Sequence, residues 1–306
     1  MFEHLLVPLD GSRLAEAALP AAALLSKRLG SSVTLFHVIE RDAPQQVHGE
    51  RHLSEPTEAK AYLDEVASRA FPAGTHVEQH VHTTEVANVA HSIVEHTGEL
   101  APDLIVMCTH GQGGLRTWLL GSIAQQVIAE GVTPVLLIQP DGAGATVSFA
   151  CRRLLVPLDS YADHEQGFVI AAALARACSA DVHLLMVVPT LTTLPGELGT
   201  AARLLPTATS AWLDMSEEAA RAHLDPKASL LQASGLRTTA EVCRGDPASA
   251  ITDTIQRVQA DLVVMGTHGK RGMEAFWSGS VAAQVSSRSR APLLLVPVHE
   301  PGSDSR

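Results

Sequence analysis

The segment Met265-Gly-Thr-His-Gly-Lys-Arg-Gly-Met-Glu-Ala-Phe-Trp-Ser-Gly-Ser280 follows the short apolar run Asp261-Leu-Val-Val264 and precedes Val281–Arg290. The apolar run has the length and composition of a buried parallel strand, and the residues after Ser280 have those of a helix. Gly266, Gly269 and Gly279 therefore fall at a strand end, in a loop and at a helix start. At such places a backbone without Cβ atoms can approach a phosphate closely and aim its N–H groups at it.

The same punctuation occurs earlier in the chain. Thr267-His-Gly269 repeats Thr109-His-Gly111, and Pro292-Leu-Leu-Leu-Val296 repeats Pro134-Val-Leu-Leu-Ile138, both at an offset of 158 residues. Leu155-Val-Pro-Leu-Asp159 repeats Leu6-Val-Pro-Leu-Asp10 at an offset of 149. The second copy thus carries a net insertion of nine residues, which composition places in the Thr/Pro/Gly-rich segment Pro189–Ser210. A loop of that length reads either as a lid beside a strand end or as a tolerated surface insertion. Residues 140–150 are small and turn-forming, so the boundary lies there and the domains are 1–140 and 151–300.

Within the first copy, a strand at Leu5–Asp10 leads to a helix over Leu14–Leu29 that Gly30 stops, and a strand at Val33–Ile39 follows. A helix over Thr57–Ala70, an alternating strand at Thr75–His82, a helix over Glu85–His96 and a buried strand at Asp103–Cys108 come next. A helix near Gly121–Glu130 and the strand Pro134–Ile138 complete the unit. This alternation calls for a parallel sheet with helices on both faces, twice over.

The 306 residues suit two domains, and 46% hydrophobic content suffices for two packed cores. With 22 basic and 33 acidic residues the formal charge is −11, which argues against general affinity for nucleic acid or anionic membranes. No apolar run is long enough to span a bilayer and the first residues do not resemble a signal peptide, so a soluble cytoplasmic protein is expected. Cys108, Cys151, Cys178 and Cys243 make no C-x-x-C pair and read as small core residues.

Taken together, these residues resemble a tandem universal stress protein of the ATP-binding type. That group carries G-x2-G-x9-G-[S/T], which the second copy matches as Gly266, Gly269, Gly279 and Ser280. Val-Pro-Leu-Asp at each first strand, Gly245-Asp-Pro247 and Asp-Leu-[IV]-Val-Met before each motif add to the likeness. The first copy departs from it, because Cys108 stands where the leading glycine belongs and Ala87 falls opposite Gly245.

The resemblance implies an α/β fold of two tandem doubly wound domains. Each would be a five-stranded parallel sheet, order 3-2-1-4-5, with its crevice at the carboxyl ends of strands 1 and 4. It implies an adenine-nucleotide cofactor, ATP with or without Mg²⁺. In the second copy Asp159 and backbone near Val187 would hold adenine and ribose, the phosphates would lie against Gly269 and the Gly279-Ser280 helix start, and Met265, Gly266 and His268 would complete the site. Asp10, Val38, His110, Gly111, Gly121 and Ser122 are the matching positions of the first copy. Lys270 and Arg271 would supply loop charge, either to phosphate or to solvent. The fifth strands, Val135–Ile138 and Leu293–Val298, would pair the two copies about a pseudo-twofold axis, with a homodimer beyond that.

Neither copy contains G-x-x-x-x-G-K-[ST], so a P-loop mechanism has no support. Three readings stand open: a nucleotide-binding stress-response regulator that touches an unknown protein partner, a slow ATPase at the same site, and a nucleotide-free interaction module. For hydrolysis the motif offers only His268 to position a water, and ordering its own loop is the other role open to that residue. Trp118, Phe276 and Trp277 suit either base stacking or anchoring of their loops. His80 and His82 share a strand face, whereas His91 and His96 diverge on a helix, and no ligand-spaced Cys or carboxylate accompanies them, so no metal site is expected.

Overall fold

The computed structural model describes residues 1–47, 50–109, 121–140, 148–159, 165–194, 204–268 and 280–298. By backbone contacts the chain falls into two compact units, the first gathering Met1–Ala150 with Pro292–Pro297 and the second Cys151–Thr267 with Ser280–Ala291.

In the first unit the elements are β1 (His4–Pro8), α1 (Arg13–Glu16), α2 (Leu19–Leu29), β2 (Ser32–Glu40), a small hairpin of β3 (Gln46–Val47) and β4 (Glu50–Arg51), α3 (Pro56–Ala70), β5 (Val77–Val86), α4 (Val89–Leu100), β6 (Leu104–Cys108), α5 (Ser122–Glu130) and β7 (Val135–Ile138). The expected first helix is two. Pro20, without an N–H, occupies the first turn of α2, and the backbone turns between Glu16 and Leu19. Gly30 closes α2 at φ 74°, the left-handed conformation a glycine cap supplies. The helix expected from Glu85 begins only at Val89. β5 runs on through Val86, and Asn88 then caps α4 by accepting from His91 N at 3.0 Å.

The parallel strands lie in the order β5-β2-β1-β6-β7, which in chain order is third, second, first, fourth, fifth. α2 packs with α3 and α4 with α5, giving a helical layer on each face. Leu5, Leu6, Leu35, Phe36, Leu63, Ile93, Leu104 and Ile105 are fully buried between them. The apolar edge at β7 is covered by β12 (Leu293–Val298), paired antiparallel with Leu293 opposite Leu137, Leu294 opposite Leu136 and Leu295 opposite Val135.

The second unit contains β8 (Arg153–Leu158), α6 (Glu165–Cys178), β9 (Asp181–Val188), α7 (Pro206–Ala233), β10 (Thr238–Arg244), α8 (Pro247–Val258), β11 (Leu262–His268) and α9 (Val281–Arg288). Its strands lie in the order β10-β9-β8-β11 and are paired in parallel. The fold is therefore two tandem doubly wound α/β repeats. The segment expected as a long loop is partly helix, since α7 begins at Pro206; residues 195–203 of that expectation lie outside the described residues. None of the four cysteines is in a disulfide; three are buried and Cys243 is half-buried.

Candidate functional site

In the second unit β8 ends at Leu158, opposite Met186 of β9, so the same register carried one step further sets Asp159 beside Val187. On the other side Leu154 and Leu155 pair with Leu262 and Val263, and that register carried forward brings Gly266 beside Leu158 and Thr267 beside Asp159. Parallel pairing thus collects Asp159, Val187 and Gly266 at one end of the sheet, where loops leave it. Met265 is buried beneath them. Gly167, in the first turn of α6, lies against the same place: a Cβ built on it would stand 3.5 Å from Gly266 N.

The helix that follows the glycine pattern starts at Ser280. Its hydroxyl accepts from Ala283 N at 3.1 Å and so caps α9. In the first unit the equivalent helix begins one residue earlier: Gly121 is the N-cap, no side chain caps the first turn, and Ser122 is its first helical residue. The hydroxyl that helps to start α9 therefore has no counterpart in that role at α5. Gly269, Lys270, Arg271, Gly279, His110, Gly111, Trp118, Phe276, Trp277 and the side chain of His268 lie outside the described residues.

The first unit brings its matching positions together in the same way. Pro8 pairs with Phe36, which carries Asp10 next to Val38, and Leu5 and Leu6 pair with Leu104 and Ile105, which carries Leu9 next to Cys108. Cys108 is buried, and burial first, then the charge of Asp10, push its thiol well above the usual range. A side chain thus fills the register position that Gly266 leaves open in the second unit. Asp10 Oδ1 accepts from Ser12 N at 2.9 Å and from Ser12 Oγ at 2.7 Å, folding the carboxylate into its own loop.

The connection between β2 and α3 also lies over this strand end. Arg13 N donates to Glu50 Oε2 at 2.6 Å, and a Cβ on Gly11 would stand 2.8 Å from Leu53 Cδ1. His37, buried in β2, reaches Leu9 O at 2.7 Å and Leu53 O at 3.1 Å. Glu50, Leu53 and His37 had no motif to mark them, because their contact with the Asp10 loop joins residues that no local period relates.

The corner after the third strand differs between the units in a way the sequence does mark. Gly245 has φ 148°, and its N–H donates to Val188 O at 3.0 Å. Asp246 then caps α8 through Ser249 N and Ser249 Oγ at 2.9 and 2.8 Å, and Arg288 of α9 lies 3.5 Å from the same carboxylate. Ala87 is not among the residues with positive φ, so the first unit turns this corner on a different backbone.

The family model described as the universal stress protein family matches residues 1–139 and again 150–297. The chain belongs to that family. Universal stress protein YxiE of Bacillus subtilis (strain 168) is 29% identical over 154 residues, 45% of this chain and 100% of its own length. Universal stress protein Sll1654 of Synechocystis is 33% identical over 138 residues, 45% of this chain and 86% of its own length. Among solved structures, a universal stress protein from Archaeoglobus fulgidus DSM 4304 covers 97% of this chain and 97% of its own at a TM-score of 0.67 and 18% identity. A functionally unknown protein from Pseudomonas aeruginosa PAO1 covers 97% and 93% at 0.67 and 16%. At such identity these two show a shared fold.

Proposed function

We propose that this universal stress protein binds an adenine nucleotide, ATP with or without Mg²⁺, and acts as a stress-response regulator through a nucleotide-dependent surface. The observation that carries the reading is that Gly266 and Thr267 of β11 run alongside Leu158 and Asp159, and that the pattern Gly266-x2-Gly269-x9-Gly279-Ser280 leads in the sequence from there to the start of α9. Amides of a strand-to-helix turn offer an anion partial positive charge, and an aspartate at the adjoining strand end suits ribose hydroxyls or an adenine amino group. Gly167 leaves the approach to Gly266 free of a Cβ. The second repeat is the stronger candidate, because Cys108 and the Leu53 cover narrow the matching place in the first.

Calorimetric titration with ATP is the test. Saturable binding is expected for the wild type, weakened at least about tenfold in Gly269→Glu, whose carboxylate would face the phosphates. Binding untouched by that change would remove the site. Single-turnover phosphate release separates binding from slow hydrolysis, and mass spectrometry of extracted protein separates both from a nucleotide-free module. A homodimer, a protein partner and a cytoplasmic location belong to the same proposal. No helix among the described residues is long and apolar enough to cross a membrane.

A further inference from the structure

The long helix of the second unit has two apolar faces. α7 turns Leu213, Ala220, Leu224, Ala228 and Leu231 into the core, where each is buried. Away from them, Leu205, Ala208, Trp212, Met215, Ala219 and Ala222 recur at steps of three and four residues, and all six are exposed. Leu205 is 64% exposed, Trp212 46% and Met215 67%, whereas the solvent side of a surface helix is ordinarily charged or polar. No charged residue stands in this stripe.

Its flanks suit burial. Thr209 Oγ1 donates to Leu205 O at 2.9 Å and Ser216 Oγ to Trp212 O at 2.8 Å, so both hydroxyls are satisfied within the helix. Arg244 of β10 holds Asp214 and Glu217, at 2.6 and 2.5 Å, on the side of the helix that faces the sheet. One backbone group lacks its helical partner: Pro226 has no N–H to give the carbonyl of Ala222, four residues earlier.

The order of large and small side chains matches the same stripe reversed. An antiparallel twofold axis beside Glu217 sets Met215 against Ala219 of a second copy, Trp212 against Ala222 and Leu205 against Ser229, a bulky residue opposite a small one each time. The same register brings the indole N–H of Trp212 to the residue whose carbonyl the helix leaves without a donor. A parallel pair would set Trp212 and Met215 against themselves and alanine against alanine. Glu218 meets its own copy only at the rim, where solvent and salt screen it. Leu205–Ser229 makes about 37 Å of helix, and a strip half the circumference wide covers about 600 Å² on each copy, at the lower end of what specific interfaces bury.

We propose that the outer face of α7 is a homodimer interface, in which two copies of the helix pack antiparallel through Trp212, Met215, Ala219 and Ala222. It gives the homodimer named above a surface, and it uses none of the residues proposed to hold nucleotide. Failure of ATP to bind therefore leaves the dimer untouched, and a monomeric protein leaves nucleotide binding untouched.

Sedimentation velocity of the full chain without ligand is the test. The wild type should sediment as a dimer at about 50 μM, above the micromolar Kd expected of a small interface. Met215→Glu and Ala219→Lys, both at exposed positions, should each weaken the dimer at least about tenfold by burying an unpaired charge. An equimolar mixture of the two variants should regain it, since the new carboxylate and the new ammonium then face each other. A monomeric wild type, a dimer that either variant leaves intact, or a mixture that stays monomeric overturns the proposal. Should a variant not fold, amide exchange of the wild type decides. Protection of Pro206–Ala233 that falls on dilution to about 0.5 μM, while Pro247–Val258 is unchanged, supports the interface, and protection independent of dilution sinks it.

Discussion

Gly245 shows how one backbone angle separates two otherwise parallel corners. At φ 148° it occupies a region that side chains rarely adopt, and nothing stands within 4 Å of the Cβ it lacks. Gly245→Ala should therefore cost about 1–3 kcal/mol through backbone strain alone, read as a lower urea midpoint with unchanged slope. A cost near zero would mean the corner relaxes as Ala87 already has. The departures at Ala87 and Cys108 were legible as mismatches between the copies. Their consequences were not, since whether Cys108 fills a crevice depends on the register of β1 and β6, which no local pattern encodes.

Among the elements, periodicity located most strands and helices of the first unit, and their bounds moved where strand pairing or a local cap overrules it. β5 outlasts its alternating stretch because it pairs with β2 as far as Val86. α4 starts where Asn88 can cap it, and α8 starts at the equivalent Asp246. Hydrogen bonds from the Ser249 amide and hydroxyl hold the Asp246 carboxyl below its usual value, with Arg288 adding to the effect. A depressed carboxylate stabilises fully above the unfolded-state value of about 4 and loses that contribution as pH falls through the lower folded-state value. Asp246→Ala should accordingly lose about 1 kcal/mol near neutrality, and the gap between variant and wild type should narrow in acid denaturation curves. A gap that widens on acidification would show that the cap does not depend on charge.

On the scale of the whole molecule, residues far apart in the chain complete the first unit. Leu136 and Leu294 face each other, each about 1% exposed, and seal the edge that β7 would otherwise present. Leu294→Asp buries an unpaired charge there and should cost roughly 3–5 kcal/mol, seen as faster amide exchange in β6 and β7; protection unchanged in those strands would show that β12 does not seal them. The amino-acid sequence by itself determined the repeat, the alternation of strands and helices, the doubly wound class and the glycine pattern at a strand-to-helix turn. All of these follow from local periods and from residues whose backbone preferences are intrinsic. Only the tertiary structure decided that Leu53 and Glu50 cover the Asp10 loop and that Cys108 occupies the place Gly266 leaves free. Those contacts arise where separate elements dock, and docking is set by packing and register between segments rather than by the sequence within any one of them. Gly266 is thus legible as part of a glycine pattern, while its place beside the end of β8 is a property of the sheet.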